Sequence, residues 1–299
     1  MTATPHTEHY AVIIGSMKSG TTTLFAMLAD HPQIAPAQPK EPGFFAFPSV
    51  YAKGFAWYHS LFDFDPARHR YRLEASTDYT KAPFVTGVWD RMQARPQARF
   101  KLIYIMRHPL RRIESHARHV QLKNKEIGQQ ITARKDHGLD NGVSLASLAM
   151  TRYAHQLDGF AAAHDAGDLF VTTLEDLQRA PDRVMAALCG FLDLPLPPPV
   201  QVPPRANAAR DKVRMHGSWA RLTANPALLA LGKTLMPQGL RDRIKARFLH
   251  KVTLDGRFAL TPVEEAALTD QLRDDLTRLR TRYGVDVAEL WDLPDDRRY

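Results

Sequence analysis

Gly15-Ser16-Met17-Lys18-Ser19-Gly20-Thr21-Thr22-Thr23 combines two glycines, a lysine and a run of hydroxyls in one short stretch. Glycine permits a tight turn and lets the backbone approach a ligand closely. Where such a turn leads into a helix, unpaired N–H groups and the helix dipole converge on one point, and that point binds anions. Lys18 adds a mobile positive charge, and the threonine hydroxyls can donate to phosphate or sulfate oxygens. Lys18, Ser19, Gly20, Thr21, Thr22 and Thr23 are therefore the candidate anion-binding residues. The order differs from the common GxxxxGK[ST] cradle, because the lysine precedes the second glycine. Glycine and threonine also build ordinary strand-to-helix turns; the lysine and the flanking elements favour anion binding.

A second chemical signal lies at the end of the apolar run Phe100–Met106, which is followed directly by Arg107. A phosphotransferase of the P-loop type wants an aspartate at the end of such a strand to hold Mg2+. An arginine there argues instead for an ester whose additional phosphate is gripped by a guanidinium, with Ser115 on the following helix turned the same way. His116 and His119 stand three apart on that helix, a spacing that could hold a metal, but no third ligand of suitable spacing accompanies them. They read as solvated or phosphate-proximal histidines.

These residues need elements to position them. Tyr10–Ile14 is a short apolar run ending at Gly15, and Leu24, Phe25, Met27 and Leu28 repeat at helical spacing up to His31-Pro32, which predicts strand, loop and helix. Phe100–Met106 reads as a buried parallel strand, and Pro109 suits the first turn of a helix. Tyr71–Ala75 and Leu169–Thr173 read as further strands. Helices are expected over Phe84–Met92, Leu145–Ala166 and Pro181–Leu192, the last closed by the proline-rich stretch from Pro195 to Pro204. Alternating strands and helices predict an α/β fold: a P-loop-like parallel sheet flanked by helices on both faces, with ligands at the C-terminal ends of the strands.

After Pro204 no strand-like run is evident, and a mainly helical C-terminal extension is expected over residues 196–299. Thr261-Pro262 with Glu264 opens an amphipathic helix reaching about Tyr283, whose buried stripe is Leu268, Leu272, Leu276 and Leu279. The polar segment Gln121–Asn141 reads as a mobile insertion beside the site or as a solvated linker. The basic stretch Arg241–Lys251 reads as a solvated amphipathic helix rather than a membrane contact. With residues 1–9 as a flexible start and 10–195 as the α/β core, the 299 residues are expected to form one domain.

Composition narrows the classes of function. A net charge of +8 favours anionic ligands, but the basic residues are dispersed, with no aromatic-interleaved basic run, so no nucleic-acid partner is expected. Cys189 is the only cysteine, which rules out an intrachain disulfide and a zinc site built from cysteines. The first ten residues carry no apolar signal core and no eighteen apolar residues run together. A cytoplasmic protein without stable membrane insertion is expected. The aromatic cluster Phe44, Phe45, Phe47, Tyr51, Phe55, Trp57 and Tyr58 could stack on an acceptor, although core packing is the more ordinary use.

With these residues in view, the chain resembles the PAPS-dependent sulfotransferases, particularly the carbohydrate and heparan-type branch and its bacterial relatives. GSMKSGTTTL resembles that family's loop for the 5'-phosphosulfate of PAPS (3'-phosphoadenosine 5'-phosphosulfate). IMRHPLRRIESHARH resembles its 3'-phosphate motif, an arginine with a proline two residues later and a serine eight residues later. The resemblance thus gives Arg107 and Ser115 that role. KEPGFF at Lys40–Phe45 resembles the branch's KEPHFF element, whose glutamate is the family's proposed base, so Glu41 inherits that part. TTLEDLQRAPDRVMAALCGFLDLP and, more weakly, GVDVAELW resemble later stretches. Gly43 stands where the branch often has histidine, and Ala75 where some heparan-type members place lysine. Lys212, Arg214 and Gly217-Ser218-Trp219 correspond loosely to the region that closes over the nucleotide.

The implied reaction moves a sulfonate from PAPS to a hydroxyl or amine of a saccharide or small-molecule acceptor and releases PAP (3'-phosphoadenosine 5'-phosphate), with no metal required. Glu41 and Lys18 are the implied catalytic pair. Two alternatives stand beside it: a P-loop small-molecule kinase, which would show Mg2+-dependent ATP turnover, and a non-catalytic PAP-binding protein, which would tolerate loss of Glu41.

Overall fold

The computed structural model describes residues 8–126, 143–196, 213–215, 249–251, 258–286 and 290–293. Five strands form one parallel sheet: β1 (Glu8–Gly15), β2 (Ile34–Pro36), β3 (Tyr71–Ala75), β4 (Ala98–Met106) and β5 (Leu169–Thr173), in the spatial order β2-β3-β1-β4-β5. The two strands that carry the chemical signals, β1 and β4, lie side by side at the centre, with Val12 opposite Leu102 and Ile13 opposite Ile103. Continuous apolar runs put β1 and β4 there, since a parallel strand covered on both faces has no polar side to show.

The alternation of side chains divides the core in two. On one face Ala11, Ile13, Leu73, Ala75, Ile103 and Ile105 pack with Leu24, Met27 and Leu28 of α1 (Thr21–Ala29). Leu177 of α9 (Leu174–Arg179) and Val184, Met185 and Leu188 of α10 (Pro181–Phe191) complete that cluster. On the other face Tyr10 stacks on Phe100 and on Tyr58, and Phe45 meets Phe100 edge-on. The short helices α2 (Pro48–Tyr51) and α3 (Phe55–His59) supply this aromatic layer. Phe44, Phe45 and Tyr58 are fully buried, so these members of the cluster are core, while Phe47 is exposed.

Several elements depart from the sequence reading for local reasons. The helix expected from Phe84 begins only at α4 (Val88–Gln93), after Gly87 at φ 68°. A short 3-10 helix, Thr77–Thr80, precedes it. α5 (Pro109–Glu126) starts at the proline as expected and runs on through residues 121–126; the rest of the polar insertion lies outside the described residues. The span Leu145–Ala166 is three helices, α6 (Leu145–Ala149), α7 (Tyr153–Asp158) and α8 (Ala161–Asp165), because Gly159 and the turn at Thr151 interrupt it. β2 and α9 were not foreseen; each is too short to show a period. α11 (Pro262–Tyr283) carries the expected capping box at Thr261 and Glu264, and its four leucines are buried.

The chain divides into two compact units, one made of residues 1–117, 133–204 and 259–299, the other of 118–132 and 205–258. The first holds the sheet. In the second, β6 (Val213–Met215) and β7 (Leu249–Lys251) form an antiparallel pair. This corrects the expectation of no strand after Pro204, and places strand where the end of a basic amphipathic helix was expected; runs of three residues carry no usable period. Lys212 and Gly217-Ser218-Trp219 lie outside the described residues, as does the side chain of Arg214. Among the described residues no helix is long and apolar enough to cross a membrane.

Candidate active site

The loop from Gly15 to Gly20 leaves the C-terminal end of β1 and enters α1, and each turn of it is held from below. Ser16 donates its backbone N–H to the carbonyl of Ile105 at 2.8 Å, and its hydroxyl lies 2.6 Å from that of Ser19. Ser19 is fully buried and its N–H lies 3.3 Å from the Ser16 carbonyl. The N–H and the hydroxyl of Ser19 thus both face Ser16. Lys18 between them sits at φ 72°, the left-handed region that a residue with a Cβ rarely occupies. Gly20 takes φ 92° and forms the N-cap of α1 with no side chain bonded there. A Cβ at Gly20 would meet Leu174 at 2.6 Å, and one at Gly15 would meet the Thr80 hydroxyl at 2.0 Å. Gly15 is thus required by space and Gly20 by its left-handed backbone. Thr22 and Thr23 are half-buried, whereas Thr21 is buried.

Arg107 arrives from the end of β4, the neighbouring strand, and its Nη1 lies 3.5 Å from the carbonyl of Lys18. The backbone at Arg107 is fixed by residues that no local pattern announced. Tyr153 donates its hydroxyl to the Arg107 carbonyl at 2.6 Å. Glu175 accepts the His108 N–H at 3.1 Å and, through its other oxygen, the indole N–H of Trp291 at 3.1 Å. Burial raises the Tyr153 phenol to about 12, so it remains a donor at neutral pH. Ser115 lies on the second turn of α5, half-buried. Arg112, one turn before it and fully buried, donates Nη1 to the Ser147 carbonyl and to the Thr151 hydroxyl. That pairing ties α5 to α6.

Glu41 lies on the loop between β2 and α2. It sits at φ 64° between Lys40, whose ammonium pairs with its carboxylate, and Pro42. Its side chain is 41% exposed, so the carboxylate is open to a partner from solvent. Only three non-glycine residues among the described ones have positive φ, namely Lys18, Glu41 and Asp193. Two of the three are the residues singled out for chemistry, and held strain of this kind concentrates at functional sites. Beneath Glu41 the loop is anchored by Gly43, whose N–H bonds the Ser76 hydroxyl at 3.0 Å, and by Phe45, whose N–H bonds the Tyr79 hydroxyl at 3.2 Å. Both hydroxyls donate to Glu74, a fully buried carboxylate on β3. Among the described residues no group of three or more histidine, cysteine, aspartate or glutamate side chains could hold a metal ion.

Comparison with known proteins places the chain in a family. Residues 9–228 match the family described as the sulfotransferase domain. A bifunctional heparan sulfate N-deacetylase/N-sulfotransferase 1 from Caenorhabditis briggsae is 25% identical over 200 residues, covering 62% of this chain and 22% of that protein. A heparan sulfate glucosamine 3-O-sulfotransferase 5 from Mus musculus is 33% identical over 116 residues, covering 39% of this chain and 32% of that protein. The chain thus spans about a fifth to a third of the length of these relatives. In three dimensions a sulfotransferase from Alicyclobacillus acidocaldarius superposes with a TM-score of 0.59 at 19% identity, over 97% of this chain and 99% of that one, which shows a shared fold. Since the family match extends over residues 9–228, well over half of the 299, this chain belongs to the sulfotransferase domain family.

Proposed function

We propose that this protein, acting as one sulfotransferase domain, transfers a sulfonate group from PAPS to a hydroxyl or amine of an acceptor and releases PAP. The observation that supports the reading is the approach of Arg107, from the end of β4, to the loop that follows β1, 3.5 Å from its guanidinium to the backbone carbonyl of Lys18. Two separated cations suit a donor with phosphate groups at both ends of its ribose. The loop amides, Lys18, Gly20, Thr21, Thr22 and Thr23 would hold the 5'-phosphosulfate, while Arg107 and Ser115 would hold the 3'-phosphate. Ser19, with its N–H and hydroxyl facing Ser16, braces the loop from inside.

In this reading the Glu41 carboxylate takes the proton from the acceptor hydroxyl. The acceptor oxygen forms a bond to sulfur while the bond from sulfur to the bridging phosphate oxygen breaks, and that oxygen keeps the electron pair as PAP leaves. Lys18 neutralises the charge developing there, as cations do in phosphoryl transfer. The heparan-directed relatives support a saccharide acceptor. Gly43 and Ala75 differ from that branch, and Ala75 is packed in the core against α1, so other small-molecule acceptors belong to the same proposal. A cytoplasmic setting belongs to the same proposal.

The decisive experiment supplies labelled PAPS with a mixed panel of saccharide and small-molecule acceptors and follows label into product. Transfer that falls by about 100-fold or more in Glu41→Gln, with PAP affinity nearly unchanged, supports the assignment. Mg2+-dependent ATP turnover without sulfonate transfer would identify a kinase, and PAP binding without transfer a sensor.

A further inference from the structure

Glu74 had no part in the sequence reading, and its surroundings are unusual for a carboxylate. It lies on β3 opposite Val12 of β1, on the aromatic face of the sheet, with no exposed surface. No lysine, arginine or histidine forms an ion pair with it among the described residues. Burying a charge without a counter-ion is costly unless hydrogen bonds replace the water. Three hydroxyls do so: Tyr58 donates to Oε1 at 3.1 Å, Tyr79 to Oε1 at 2.5 Å and Ser76 to Oε2 at 2.7 Å.

The chemistry of the hub sets the direction of every bond around it. When ionised, the carboxylate accepts only, so each hydroxyl then spends its proton on Glu74 and is left with lone pairs facing outward. Those lone pairs are what the backbone of the Glu41 loop uses. The Gly43 N–H bonds Ser76 and the Phe45 N–H bonds Tyr79, so two alternate residues of the loop hang from hydroxyls that Glu74 has oriented. On its other side the cluster is tied to the strand that leads into the Lys18 loop. The Ser76 N–H bonds the Ile13 carbonyl at 3.1 Å, and the Thr80 hydroxyl bonds the Ile14 carbonyl at 2.8 Å.

We infer that Glu74 is the positioning residue of this site: through Ser76 and Tyr79 it fixes the loop that carries Glu41 against the strand that carries Lys18. This rests on the reading of Glu41 as the base. A glutamine at position 74 keeps the shape but presents an N–H2 group to one hydroxyl, reverses that bond and removes one arm of the support. The apolar alternatives would cost less to bury, so the retained carboxylate is explained by its orienting action.

The test is a mutant cycle with a readout that does not depend on turnover. Glu74→Gln should lower kcat by about tenfold while the KM for PAPS stays within about twofold, as expected when a reacting group is displaced and the donor site is not. In the Glu41→Gln background the same change should cost nothing further, because a residue acting through Glu41 has nothing left to position. Ser76→Ala, which removes only the Gly43 arm, should reproduce part of the loss. Amide hydrogen exchange should quicken in Glu74→Gln at Gly43 or Phe45, whichever hangs from the reversed bond, and stay unchanged along β1. Wild-type kcat in folded Glu74→Gln, an equal cost in both backgrounds, or unchanged exchange at Gly43 and Phe45 would each overturn the inference. If the wild-type protein transfers no sulfonate, the functional proposal fails by itself, and the exchange result still decides whether Glu74 holds the loop.

Discussion

Tyr153 donates its hydroxyl to the carbonyl of Arg107 across 2.6 Å, joining the first residue of α7 to the end of β4. The contact fixes the peptide plane from which the Arg107 side chain departs. In the proposed role the guanidinium would meet a phosphate at a set distance and angle, and the hold on its backbone would then be part of the donor site. Arg107→Ala should weaken PAP binding by about 1.5 to 3 kcal/mol in an isothermal titration, the usual worth of a lost charge-assisted contact. Tyr153→Phe should cost less, about 1 kcal/mol, through the loss of a neutral bond. Unaltered PAP affinity in Arg107→Ala would contradict the 3'-phosphate role.

α7 is in turn held by α11. Asp275 accepts the N–H of Ala154 at 3.0 Å and that of His155 at 2.8 Å, so its carboxylate caps the first turn of α7 from a separate helix. Burial raises its pKa, and the two backbone N–H bonds oppose the shift. Asp275→Ala strands both donors and should destabilise the protein by about 1.5 to 3 kcal/mol in urea unfolding, with PAP affinity falling alongside. Stability equal to wild type would show that α7 does not depend on this cap.

At the Gly15–Gly20 loop, Lys18→Ala should impair both PAP binding and turnover, since in the proposed role the same ammonium would meet the bound nucleotide and the charge that develops on it. Loss of turnover with affinity intact would confine Lys18 to the reaction step.

Two glycines should respond in opposite directions. Gly15→Ala brings a Cβ within 2.0 Å of the Thr80 hydroxyl and 2.9 Å of the Tyr104 ring, and should cost about 1 to 3 kcal/mol. Gly190→Ala meets nothing within 4 Å on the exposed side of α10 and should stabilise by about 0.5 to 1 kcal/mol. Thermal unfolding of the two variants side by side checks the pair.

Burial raises Glu74 from 4.5 to about 7, against the opposing hydrogen bonds from Tyr79, Ser76 and Tyr58, with the nearby charge of Glu41 raising it a little further. A carboxyl held above its unfolded value binds its proton more tightly when folded, so its contribution to stability falls as pH rises from about 4.5 to about 7. The Tm of wild type should therefore lose a few degrees relative to Glu74→Gln across that window and level off above it. A difference in Tm that does not vary with pH would show that Glu74 keeps an ordinary pKa.

The parts of this protein that could be read from the chain were those encoded locally. β1 and β4 announce themselves because buried parallel strands are unbroken apolar runs, and α11 because its capping box and leucine stripe fall within one segment. The Gly15–Thr23 loop and the Arg107 turn were legible for the same reason: the residues proposed to bind an anion there lie within short segments. Boundaries failed where a single residue decided them, as at Gly87 and Gly159.

Sequence alone determined the alternation that makes a parallel α/β sheet and the two basic motifs at its strand ends. Only the tertiary structure decided that Glu74 is a hub rather than a surface acid, that Ser19 faces inward, and that Tyr153, Glu175 and Asp275 support Arg107. The physical reason is that a buried polar group is stable only through partners, and these partners come from elements far apart in the chain. Ala154 and Asp275 are 121 residues apart, Tyr153 and Arg107 46, and no local pattern states which of them will meet.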